Sequence, residues 1–276
     1  MGFFEKQLTV WRVSLPFRLL ASALTVLCAK LLASLIVYFV LDVSNVGTFW
    51  VNTSTPDRVQ NFVFQSSMFA RNDWMTVFLG WDSAWYLSIL SHGYSFSTQS
   101  FSFFPGLPLF SSLINLLIQN SAASLVSCSL VFGILWVPLY QLVAELYINK
   151  EAAFFSALLF AFSPFVFLFT TVAYSEGLLL FWVLLAWLMF KRGKVALASA
   201  SAAVAVLSRA VGILIIIPMI IETIKSQNHR VRGFVLCCLP ILAFLAWLMY
   251  GQLVANDWLA FIHTTEWVEM YSFSAF

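Results

Sequence analysis

Leu19–Leu41 reads LLASALTVLCAKLLASLIVYFVL, an apolar run broken by one charge, Lys30. A helix needs about 20 apolar residues to cross a hydrocarbon core of about 30 Å, so this run is expected to span a bilayer. It is longer than the apolar region of a signal peptide and lacks a small-residue cleavage site, so it is expected to remain as the first transmembrane helix. The same reading extends to Ala122–Leu146, Ala152–Thr171, Leu178–Phe190 and Phe234–Val254. Of the 276 residues, 62% are hydrophobic and 9% charged, with a mean hydropathy of +0.92. Soluble domains carry about 25% charged residues. The expected fold is therefore all-α, a multi-pass transmembrane helical bundle forming a single domain over residues 1–276, with no separate soluble domain.

Cys28, Cys128, Cys237 and Cys238 all sit in apolar runs without metal-ligand spacing, and read as small packing residues. No Gly-rich phosphate loop, zinc spacing or nucleophile elbow is present, and nothing in the pattern suits a nucleic acid.

Two apolar stretches are too short or too interrupted for simple spans. Phe103–Ile118 begins with Pro105 and Pro108, and Val195–Glu222 is broken by Arg209. The basic residues Lys6, Arg12, Arg18, Lys150, Lys191, Arg192, Lys194, Lys225, Arg230 and Arg232 all face the cytoplasm only under one arrangement. Phe103–Ile118 then lies in or dips into the outer leaflet, and Val195–Leu207 and Gly212–Ile224 form two half-depth helices of about 20 Å each. A large loop, about residues 42–121, and the turns at Ala173–Glu176 and Ser208–Ala210 then share the outer face with the tail from Asp257. The sequon Asn52-Thr53-Ser54 suits a lumenal address for that loop.

The loop is polar where the rest of the chain is not. It contains Trp81-Asp82-Ser83-Ala84-Trp85-Tyr86, then His92-Gly93-Tyr94, then Phe103-Phe104-Pro105-Gly106-Leu107-Pro108. A carboxylate beside a membrane is costly unless paired, hydrated or used. Asp82 reads equally well as the N-cap of a helix over Ser83–Ser91, with Gly93 just past its end, or as a general base. On that helix Trp85, Ile89 and His92 share a face, as in a helix lying at the interface. Tyr94 suits an aromatic belt, and His92 a phosphate or sugar hydroxyl. Glu176 and Arg209 either pair with each other or bind substrate. Arg209 stands at the tip of the two half-helices, where an N-terminal dipole and a guanidinium would both favour an anionic lipid phosphate. Trp267, with Glu266, reads either as sugar-site lining or as a terminal amphipathic segment. Lys30 reads either as a snorkelling side chain or as one facing the bundle interior, and no role follows from its position.

Three of these stretches together resemble a family. WDSAWYLSILSHGY followed by FSFFPGLPL, then FSPFVFLFTTVAYSEGLLLF, then LSRAVGILIIIP resemble, in order, motifs of the PIG-V family, GPI mannosyltransferase 2, across about Gly80 to Pro218. The resemblance implies a GT-C membrane glycosyltransferase with interfacial helices in its first lumenal loop. It implies transfer of mannose from dolichol-phosphate-mannose to a GPI precursor, as the second mannose, with inversion. Asp82 matches the acidic residue expected to be the base, while Glu176 and Arg209 match residues expected at the donor or acceptor phosphate. No cofactor is required, and a divalent cation is compatible with the chemistry. Expected partners are a lipid-linked donor carrying dolichol- or polyprenyl-phosphate-mannose, a glycolipid acceptor, the membrane and a small membrane subunit. The membrane is that of the endoplasmic reticulum in a eukaryote, or the cytoplasmic membrane in a prokaryote with a non-GPI acceptor. Eukaryotic members are longer, so the chain is expected to be a fragment, a splice product or a short prokaryotic relative. A transporter using Arg209 and Glu176 along its path is the competing reading; the paired repeats usual in transporters are missing from this sequence. A catalytically dead accessory subunit is the third reading.

Overall fold

The computed structural model describes residues 14–40, 77–79, 82–95, 97–225 and 230–263, and every regular element among them is helical. Helix α1 is Leu15–Val40, α2 Ser83–His92, α3 Gly106–Ile118, α4 Ser121–Ala144, α5 Lys150–Ala161, α6 Pro164–Phe169, α7 Glu176–Lys191, α8 Val195–Ser208, α9 Ile216–Lys225, α10 Arg230–Ala255 and α11 Ala260–His263. Short 3₁₀ segments cover Thr98–Ser102 and Ala210–Ile215. By length and composition, the helices over Leu15–Phe39, Ser121–Ala144 and Cys238–Ala255 can cross a membrane. Their large exposed apolar side chains, among them Leu32, Phe39, Leu242 and Leu253, suit contact with lipid. Asn52 and Trp267 lie outside the described residues.

The expected pair of short segments meeting at Arg209 is present, the second beginning as a 3₁₀ segment. Arg209 is extended, with φ −159° and ψ 149°, and ends α8 after 14 residues. The chain then folds back as 3₁₀ turn and α9, so that Ala198, Ala202 and Met219 bury together. Gly212 permits the reversal, because a Cβ there would stand 2.2 Å from the Ala205 carbonyl oxygen. Gly106–Ile118 has 13 residues, roughly 20 Å, and is likewise too short to cross. It pairs antiparallel with α4 through the Asn115–Ser124 side-chain bond and the Phe110–Phe132 contact.

Two expectations need correcting. The stretch Ala152–Thr171 is not one helix: it breaks into α5 and α6 at Phe162–Ser163, because Pro164 has no N–H to continue the ladder and holds Ser163 extended. Helix α2 does not lie with one face at an interface. Every residue from Ser83 to Ile89 is buried, enclosed by α3, α4 and the 94–104 segment, so an amphipathic pattern is not what positions it.

The charges sort by height along the bundle. Arg18 pairs with Glu145 at 3.3 Å, and Lys150 and Glu151 lie beside them. Tyr147 accepts from Trp187 Nε1 at 2.9 Å and lies 5.8 Å from Lys191 Nζ, which pairs with Glu222 at 2.5 Å. These groups gather at one end. The 16 residues of α7, roughly 24 Å, separate Lys191 from Glu176, near which Asp82 and Arg209 also lie.

Candidate active site

Five separate pieces of chain form one cleft of about 360 Å³. It is lined by Asp82 and Tyr86 of the α2 start, Ser102, Phe103 and Phe104, Tyr174, Arg209 with Ala210 and Val211, and Phe261. Local structure explains how each arrives. Gly93, at φ +72°, donates its N–H to the Ile89 carbonyl and ends α2 as expected. Tyr94 then turns inward, its hydroxyl donating to the Phe103 carbonyl at 2.8 Å and its ring packing on Trp247 and Phe101. This hairpin-like hold presents Phe103 and Phe104 to the cleft. Phe103 stacks on Trp85 at 5.5 Å and meets Tyr86 edge-on at 5.3 Å.

Asp82 occupies the N-cap position of α2, yet its side chain makes no cap hydrogen bond. The carboxylate is thus left for the cleft. Its backbone N–H donates to the Tyr174 hydroxyl at 2.7 Å. Burial raises the Asp82 pKa above its usual value, and the Arg209 charge and the Tyr174 hydroxyl oppose that rise. Burial also pushes the Tyr86 and Tyr174 phenols far up, so both remain protonated donors. The Tyr86 hydroxyl donates a hydrogen bond to Ser175 Oγ at 2.9 Å.

Glu176 and Arg209 do pair, Arg209 Nη1 donating to Glu176 Oε1. Glu176 is absent from the cleft lining and stands behind Arg209, with its Oε2 buried and unbonded among the described residues. Arg209 faces the cleft with 42% of its side chain exposed. A guanidinium has five N–H donors, so one bond to Glu176 leaves others for an incoming anion. Gly177 allows Glu176 its position, since a Cβ there would lie 2.8 Å from Gly133 Cα on α4.

The remaining sequence candidates stand apart. His92 is exposed at the end of α2, within 3.3 Å of the Ser88 carbonyl through Nδ1, and does not line the cleft. Tyr94 is buried and lines instead an adjoining apolar groove of about 470 Å³, with Pro105, Pro108, Leu109, Leu207 and Trp247. Among the described residues no three His, Cys, Asp or Glu side chains cluster as metal ligands. Sequence reading missed Tyr86, Tyr174 and Ser175 as partners of the site. The signal was available for one of them, since Tyr86 is one helical turn from Asp82.

Residues 102–250, just over half of the chain, match the sequence model of the family described as dolichyl-phosphate-mannose-protein mannosyltransferase. No curated protein and no solved structure matches the chain.

Proposed function

The chain belongs to the dolichyl-phosphate-mannose-protein mannosyltransferase family, a GT-C family, and from that premise we propose that the Asp82 cleft transfers mannose from a polyprenyl-phosphate-mannose donor to an acceptor hydroxyl. The observation that carries the reading is the uncapped Asp82 carboxylate facing the same cleft as Arg209. The acceptor oxygen attacks the anomeric carbon while its proton passes to Asp82. The bond from that carbon to the phosphate oxygen breaks, and polyprenyl phosphate leaves with the electron pair and an added negative charge. Arg209 takes up that charge, held in orientation by Glu176. Tyr174 keeps Asp82 in place, and Phe103, Phe104 and Phe261 offer aromatic faces to the sugar. The neighbouring groove, being mostly apolar, suits the isoprenoid chain. General-base help of this kind is worth about 10² to 10⁴ in rate.

The acceptor in this reading is a GPI precursor receiving its second mannose, supported by the Trp-Asp, His-Gly-Tyr and Tyr-Ser-Glu motifs. The family description supports a protein hydroxyl as the second reading. Complementation of cells lacking GPI mannosyltransferase 2 tests both. Rescue by the parent and not by Asp82→Asn is expected. Equal rescue by both overturns the base; failure of the parent, with mannose appearing instead on protein, selects the second acceptor.

A further inference from the structure

A second cation lies inside the bundle, and the reaction above does not use it. Lys30, midway along α1, is 1% exposed. It belongs to a buried stripe, Arg18, Ser22, Val26, Lys30 and Ser34, that recurs every four residues. An apolar residue would fill that site without the cost of burying an ammonium. Lys30 Nζ donates to Thr170 Oγ1 at 2.8 Å, to Thr171 Oγ1 at 2.9 Å and, at 3.5 Å, to the Phe167 carbonyl, and it stands 5.3 Å from the Phe167 ring centroid. Both threonine hydroxyls send their own protons to backbone, to Val166 and Phe167 respectively. Their oxygens are therefore turned toward Lys30, and its three donors are all placed.

The chain that follows Thr171 carries the partners of the cleft. Ala173 N–H donates to the Phe78 carbonyl at 2.7 Å, Tyr174 holds the Asp82 backbone, Ser175 accepts from Tyr86, and Glu176 holds Arg209. Residues 172–175 have no helix to stiffen them, so their position depends on what grips the two ends. Gly177 packs on Gly133 at one end; at the other, Gly133 also lies against the Thr170 carbonyl, and Lys30 grips the Thr170 and Thr171 hydroxyls.

We propose that Lys30 is a positioning residue for the glycosyl transfer, whose hydrogen bonds to Thr170 and Thr171 set the connector that holds Asp82 and Arg209. The proposal rests on the reading of Asp82 as the base. Displacing Tyr174 takes from Asp82 a partner that favours its charged form, so the acid limb of the pH profile moves to higher pH.

The test is release of polyprenyl phosphate from polyprenyl-phosphate-mannose, followed against pH in host membranes carrying the full chain. Lys30→Met is expected to lower kcat about tenfold to a hundredfold and to raise the acid limb. Lys30→Met combined with Thr170→Val and Thr171→Val replaces the whole polar cluster by apolar side chains. That variant guards against simple misfolding. It is expected to recover the parental melting temperature without recovering kcat or the limb. Parental kcat and limb in the combined variant would overturn the proposal, leaving Lys30 a packing element. Asp82→Asn separates the two claims. If it is inactive while the Lys30 variants keep the parental profile, only the positioning role falls; if it retains the parental rate, the base and the positioning role fall together.

Discussion

Two arginine–glutamate pairs stand at opposite ends of this bundle, and they serve opposite purposes. Arg18 and Glu145 are nearly enclosed, at 8% and 14% side-chain exposure, and Glu145 is further held by Gln141 Nε2 at 3.1 Å. Arg209 and Glu176 are more open, at 42% and 25%, and Arg209 forms part of a cleft wall. The same chemistry thus joins α1 to α4 at one end and presents a cation to ligand at the other. Exposure decides the difference: substrate cannot reach a guanidinium that protein encloses.

Breaking the closed pair should have the largest effect on folding. Glu145→Gln leaves Arg18 buried without its counter-charge, a loss of about 3–5 kcal/mol by the usual cost of such removals. Thermal unfolding in detergent measures it, with transfer activity per folded molecule unchanged. Breaking the open pair should do the reverse. Arg209→Met is expected to lower kcat about 10² to 10³-fold, as for loss of one charge-stabilising donor, while the melting temperature moves little. A melting loss as large as that of Glu145→Gln would abolish the contrast between the two ends.

The smallest effect concerns Asp82 and pH. Its pKa is raised, so the acid limb of kcat/KM should lie above the ordinary aspartate value of about 3.9. The stability sign is opposite to that of a salt-bridged carboxylate. The folded state holds the proton more tightly than the unfolded chain, so stability falls as pH rises from the unfolded toward the folded pKa, and stays lower above it. Asp82→Asn should therefore melt at a slightly higher temperature than the parent at neutral pH, and at the same temperature near pH 3. Equal melting at both would show that burial of the charge carries no cost.

Much of this was legible along the chain. Apolar runs of bilayer length announce helices whatever their neighbours, because the hydrocarbon core forces backbone groups to bond within the segment. Arg209 between two short apolar runs likewise announced a break, and the extended residue found there agrees. The expected sharing of one end by Asp82, Ala173–Glu176, Ser208–Ala210 and the chain after Asp257 appears as the cleft lining, with Glu176 just behind it. Periodicity misled at α2, where Trp85 and Ile89 suggested a face on the interface. Its first seven residues, Ser83–Ile89, are buried on all sides, so their pattern carries no record of what encloses them.

Apart from Glu176 with Arg209, the pairings could not be read. Lys30 meets Thr170 and Thr171 across about 140 positions, and Tyr174 meets Asp82 across 92. Hydrophobic length and helix-breaking residues act locally, through hydration and backbone sterics, and so they are written in short windows of sequence. Which carboxylate remains uncapped, which lysine grips which turn and which arginine stays open to ligand depend on distances between segments. Those distances exist only once the helices have packed.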